Sequence, residues 1–73
     1  SMTDRLSSYG YAFQIKVITA LFTDKAFMQQ ISDILSAKYF ESDANEWIVE
    51  TALEYHKQYK SKYLNNKLVF HFS

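Results

Sequence analysis

Cysteine and proline are absent from this 73-residue chain, and glycine occurs once, at Gly10. Without cysteine there is neither a disulfide staple nor a thiolate metal site. With one glycine, the backbone cradle of a phosphate-binding loop cannot be built in the usual way, so ATP binding through a P-loop is not expected. Charge of neither sign dominates: eight basic and eight acidic side chains cancel. That balance argues against an overall electrostatic match to nucleic acid, although charge can still be concentrated locally. The sequence has no run of about 18 apolar residues and no basic stretch leading into an apolar one at its start, so neither a membrane partner nor a secretion signal is expected. Absence of cysteine suits a reducing compartment, and a cytoplasmic location is the default. Ser1 before Met2 reads as a residue left by tag cleavage, and 1–8 as tag remnant and flexible lead.

What is present is core-forming material, with 48% hydrophobic and 18% aromatic residues. Such a chain is too apolar for a disordered tail. Its length allows one small domain, and below roughly 70 to 80 residues a single core rarely supplies more than about 3 to 5 kcal/mol. Support from a partner or a larger parent chain is therefore expected, and most enzyme architectures are excluded.

The apolar period is helical over most of the chain, which predicts an all-α fold: a small bundle of three to four helices spanning 9–63, followed by an irregular or strand-like tail at 64–73. In the first helix Tyr11, Ile15, Ile18 and Phe22 form one stripe, while Phe13, Val17 and Ala20 form a second on another side. A helix apolar on both sides needs cover on both. Ser7 and Ser8 are candidate caps for it, with Gly10 weakening the first turn. Thr23 or Asp24 can cap a second helix, whose buried face is predicted at Phe27, Ile31, Ile34 and Leu35. The segment from Ser36 to Phe40 ends in two adjacent aromatics, Tyr39 and Phe40, which are expected to plug the junction with the third helix.

Ser42 and Asp43, with Asn45 and Glu46 three residues beyond, approximate a capping box. From Glu41 to Glu54 there are five acids and no Lys or Arg, whereas from Tyr55 onward there are four Lys and no acid. That order complements a helix dipole, each group contributing a few tenths of a kcal/mol. Trp47, Ile48, Thr51, Ala52, Tyr55 and Tyr59 are predicted to pack on the first two helices, and the helix to end between Tyr59 and Tyr63. Beyond it Asn65 and Asn66 favour a turn, and Leu68, Val69, Phe70, His71 and Phe72 have strand-like character without a second strand to pair with.

Signals for catalysis are lacking. His56 and His71 lie outside any HExxH arrangement, no strained-turn signature marks a nucleophile, and neither a metal nor a cofactor is expected. Glu46, Glu50 and Glu54 make an i, i+4, i+8 row that repels itself and is only partly relieved by Lys57. It reads as a solvated face, or alternatively as a seat for a basic partner. Tyr55, Tyr59 and Tyr63 alternate with Lys57, Lys60 and Lys62, a composition able to stack bases and neutralise phosphates. Against that, two of these tyrosines continue the predicted buried face, and four Lys make a weak patch.

Beyond these local readings, the stretch AFMQQISDILSAKYFESDANEWIVETALEYHKQYKS, from Ala26 to Ser61, has a longer pattern. An apolar helix precedes a Thr-Asp cap, followed by Phe27, Ile31 and Leu35, then Tyr39-Phe40-Glu41-Ser42, Trp47-Ile48 and Glu54-Tyr55-His56. In this order and spacing it resembles the amino-terminal helical domain of DnaB-family replicative helicases, especially the phage-encoded T-even-like branch. The matched positions are core and cap positions, so the resemblance bears on fold more than on activity. It implies an all-helical collar module that pairs with neighbouring subunits and contacts primase or a helicase loader, with the ATPase in a separate domain. After about Ser61 the chain departs from that pattern.

Together these readings predict a non-catalytic protein-protein interaction module of DNA replication, a helicase mimic or inhibitor among its possible forms, residing in the bacterial cytoplasm if phage-encoded. Self-association is expected through Phe13, Val17, Ala20, Val49 and Leu53. The alternative is a small single-stranded nucleic-acid-binding protein that uses Lys57, Lys60, Lys62 and Tyr63.

Overall fold

The computed structural model describes residues 9–72 along the backbone and 9–60 with their side chains. It is all-α, in the order α1 (Tyr11–Thr23), α2 (Lys25–Ile31), a 3-10 turn (Ala37–Tyr39) and α3 (Asp43–Phe72). No strand occurs among the described residues.

Each boundary has a local cause. Gly10 precedes α1 with φ 86 and ψ 167, a backbone region essentially reserved for glycine, and no side chain caps that end. Ser7 and Ser8, the residues expected to cap it, lie outside the described residues. Of the two candidates for the second cap, Asp24 acts: its carboxylate accepts from the Phe27 amide at 3.0 Å. Thr23 instead donates its hydroxyl to the Thr19 carbonyl at 2.8 Å. Ser42 caps α3, its Oγ accepting from the Asn45 amide at 3.0 Å.

The core is small, and all three helices and the 3-10 turn contribute to it. Ile18 and Leu21 from α1, Met28 from α2, Phe40 just after the turn, and Val49 and Ala52 from α3 are buried together. Phe27, Ile31, Leu35, Tyr39, Ile48 and Leu53 pack half-buried around them. Phe40 and Tyr39 thus close the α2–α3 junction as the sequence predicts. Gln14 is buried completely and ties α1 to the start of α3, its Oε1 accepting from the Glu41 amide at 3.0 Å.

Three expectations are corrected. Ile34 lies beyond the end of α2 and is exposed, so the second helix contributes Phe27, Met28 and Ile31 instead. The inward side of α3 is the row of buried Asn45, Val49 and Ala52 with half-buried His56, whereas Trp47, Thr51, Tyr55 and Tyr59 are exposed. Residues 64–72 are helical rather than strand-like, because α3 runs unbroken to Phe72. The helix satisfies its own backbone groups where a lone strand has no partner, and two Asn residues cost a helix only about 0.5 kcal/mol each. At 30 residues α3 is about 45 Å long, which accounts for the 50 Å long axis of a molecule only 21 by 18 Å across.

Candidate functional site

Because the core takes one narrow stripe from each helix, much of the apolar inventory stays outside. Tyr11, Phe22, Trp47, Tyr55 and Tyr59 are each more than half exposed, the extreme being Tyr55 at 70%. On α1 the buried row is Gln14, Ile18 and Leu21, so Phe22, one position on from Leu21, sits about 100° around the helix on its shoulder. On α3, Tyr55 sits about 60° around the helix from buried Ala52, and Tyr59 about 60° from half-buried His56. The two shoulders flank a trough of about 490 Å³, floored by Leu21, Met28 and Ala52 and walled by Phe22, Tyr55 and Tyr59.

A second hollow of about 530 Å³ continues it, sharing Lys25, His56 and Tyr59 and adding Gln29 and Lys60. Among the described residues no carboxylate lines either hollow. The trough is therefore apolar along its floor and basic at its rim. Tyr55 and Tyr59 stand one helical turn apart with their rings nearly parallel, centroids 6.5 Å apart and planes 13° from each other. His56 Nε2 is buried without a hydrogen-bond partner, as are the side-chain nitrogens of Gln14 and Asn45.

The five residues predicted as a partner interface do not form one open patch. Val49 is fully buried at the centre of the chain's own core and is unavailable to any partner. Its position opposite Trp47 on α3, about 200° away, explains why the two exchange roles relative to the sequence reading. Val17 and Leu53 pack half-buried against the core, and Ala20 is half-buried. Phe13 alone is substantially exposed, its ring 4.9 Å from that of Tyr9. Of the residues suggested for nucleic acid, Lys57 and Lys60 are exposed. The side chains of Lys62 and Tyr63 lie outside the described residues.

Phe22, Lys25 and Met28 complete the trough and are absent from the sequence-predicted sites. The four-residue recurrence of Tyr55 and Tyr59 is the signal that points to it. Among the described residues no cluster of His, Asp or Glu could hold a metal ion. No helix among the described residues is long and apolar enough to cross a membrane. Comparison with protein-family models, with characterised proteins and with solved structures finds no match to this chain.

Proposed function

We propose that this chain is a non-catalytic docking module of a DNA-replication assembly, which seats an apolar segment of a protein partner in the trough between α1, α2 and α3. The observation that carries the docking reading is the trough itself, apolar in floor and wall and left open by a core that uses only one stripe of each helix. Exposed apolar surface of this kind marks interaction sites rather than ordinary solvent-facing skin, and aromatic side chains are the ones that anchor protein interfaces. The replication setting comes from the resemblance of Ala26 to Ser61 to a replicative-helicase collar domain. On that reading the partners are helicase subunits, primase or a helicase loader in the cytoplasm of a bacterial host. By occupying a subunit position, the chain would divert the assembly.

Titration of the chain with purified replicative helicase, primase and loader, followed by calorimetry, tests this. Binding of one of them that is lost in the Tyr55→Ser/Tyr59→Ser variant is the expected result. Binding of none of the three, or binding indifferent to both substitutions, refutes it.

One observation favours a second reading. Tyr55 and Tyr59 are exposed with nearly parallel rings, and Lys57 and Lys60 are exposed beside them. This is a short stacking platform with cations, the combination that binds single-stranded nucleic acid without sequence preference. It predicts low-salt binding of a labelled single-stranded oligonucleotide that weakens steeply with added salt. Absence of binding at low salt eliminates it.

A further inference from the structure

α3 carries a second exposed feature, on the side turned away from the core. Trp47 is 66% exposed and lies about 200° around the helix from the fully buried Val49. Asp43, Glu50 and Glu54, at i−4, i+3 and i+7 from it, share that side and are exposed, so the indole stands in the middle of a carboxylate face. A large aromatic surrounded by acids is the counterpart of an apolar trough rimmed by Lys25 and Lys60, with no carboxylate among the described residues of its lining. Both halves belong to one chain whose net charge is zero.

We infer that the trough of one copy takes the Trp47 face of a second copy, with the indole between Phe22, Tyr55 and Tyr59 and the carboxylates of Glu50 and Glu54 at Lys25 and Lys60. The inference rests on the docking reading and names its occupant. Three physical points carry it. The repulsion within the Glu46, Glu50 and Glu54 row, which nothing on α3 N-terminal to Lys57 relieves, is relieved by lysines brought over it from outside. The indole moves from water into an aromatic-walled site, where a buried Trp is a strong interface anchor. Finally, Trp47 lies on the outer side of the helix that forms one wall of the trough, so a rigid chain cannot fill its own site and the contact is between copies. Such a contact uses two different surfaces and is heterologous: each copy offers a trough and a Trp47 face, and assembly proceeds to a ring or an open series rather than stopping at a two-fold dimer.

Trp47 is the single tryptophan of the chain, so its fluorescence reports the contact without a label. Across a dilution series of the full chain, followed in parallel by sedimentation, the emission is expected to move to the blue as mass increases. Both changes should reverse at about 1 M salt, where the screening length is about 3 Å. Trp47→Ala abolishes the association. Lys25→Glu/Lys60→Glu and Glu50→Lys/Glu54→Lys each weaken it by about tenfold or more, which corresponds to about 1.4 kcal/mol. Mixing those two charge-reversed variants restores it, because each then offers the sign the other lacks. All five substituted positions are exposed, so folding is preserved and is checked by circular dichroism. A chain that stays monomeric at millimolar concentration with unchanged emission overturns the inference, as does association that survives Trp47→Ala or fails to return on mixing. If the monomer still binds a helicase, primase or loader through Tyr55 and Tyr59, only the second-copy occupant is refuted and the docking reading stands.

Discussion

Val49→Ala and Trp47→Ala form a paired test of which side of α3 is the core. Val49 is fully buried among Ile18, Leu21, Met28, Phe40 and Ala52. Truncating it to Ala removes two carbons, at about 0.8 kcal/mol each, and leaves a small cavity whose walls relax only in part, giving about 2 to 3 kcal/mol in total. For a domain whose whole stability is about 3 to 5 kcal/mol, that is a large share of what holds it folded. Trp47, although much larger, is 66% exposed. Its replacement by Ala gives up little burial and gains slightly in helix propensity, so stability should change by less than about 0.5 kcal/mol. Urea unfolding followed by far-ultraviolet circular dichroism reads both. With a slope near 1 kcal/mol per molar urea, Val49→Ala moves the midpoint down by about 2 M and Trp47→Ala leaves it almost unchanged. Low micromolar protein keeps association from adding to apparent stability. The opposite order, with Trp47→Ala the costlier change and Val49→Ala nearly silent, would show that α3 is rotated about its axis and that the trough as described does not exist.

Ser42→Ala removes the acceptor for the Asn45 amide at the start of α3 and should cost about 1 kcal/mol in the same urea experiment; Ser42→Asp, which keeps an acceptor there, should not. Gly10→Ala meets no atom within 4 Å, yet forces a side chain into a backbone conformation with φ +86. A loss of about 1 to 3 kcal/mol is expected despite the open space, and a neutral result would mean that the entry to α1 readjusts freely. Gln14→Ala empties a completely buried site and should cost about 2 kcal/mol or more. Gln14→Met fills nearly the same volume and removes a buried nitrogen that has no partner. The Glu41 amide it abandons makes a part-buried bond, but Glu41 itself is exposed and water can reach it, so the net change should stay within about 1 kcal/mol. Equal, large losses in both Gln14 variants would mean the Glu41 bond is worth more than its exposure allows.

The caps of α2 and α3 are legible in the sequence because their causes are local. Asp24 and Ser42 are good caps wherever the chain goes afterwards, and the Tyr39-Phe40 pair has no other apolar place to go than the junction it fills. The rotation of α3 was not legible. Its true inward row, Asn45, Val49, Ala52 and His56, has two polar members and two small ones, whereas the neighbouring Trp47, Ile48, Tyr55 and Tyr59 carry most of the apolar surface. Hydrophobic periodicity follows the larger side chains, which α3 holds on its shoulder and outer face. Gln14 shows the same effect on α1: a polar residue occupies the most enclosed position while Tyr11 and Phe22 remain exposed. The interface residues read from the sequence inherited that rotation, which is why Val49 was placed outside and Tyr55 and Tyr59 inside. The end of α3 differs from the sequence expectation for another reason: strand propensity at Leu68 to Phe72 describes fitness for a pleated surface, and no second strand occurs among the described residues to provide one.

An apolar, lysine-rimmed trough standing open between α1, α2 and α3 underlies both docking and self-association. Methyl-resolved NMR of the folded chain during titration with an anionic apolar probe, anilinonaphthalene sulfonate, examines that directly. Saturable binding at one site, with shifts at the floor methyls of Leu21, Met28 and Ala52 and little movement at Ile18 and Val49, is the predicted result. Shifts spread evenly over the core methyls, or none at the trough floor, would contradict it.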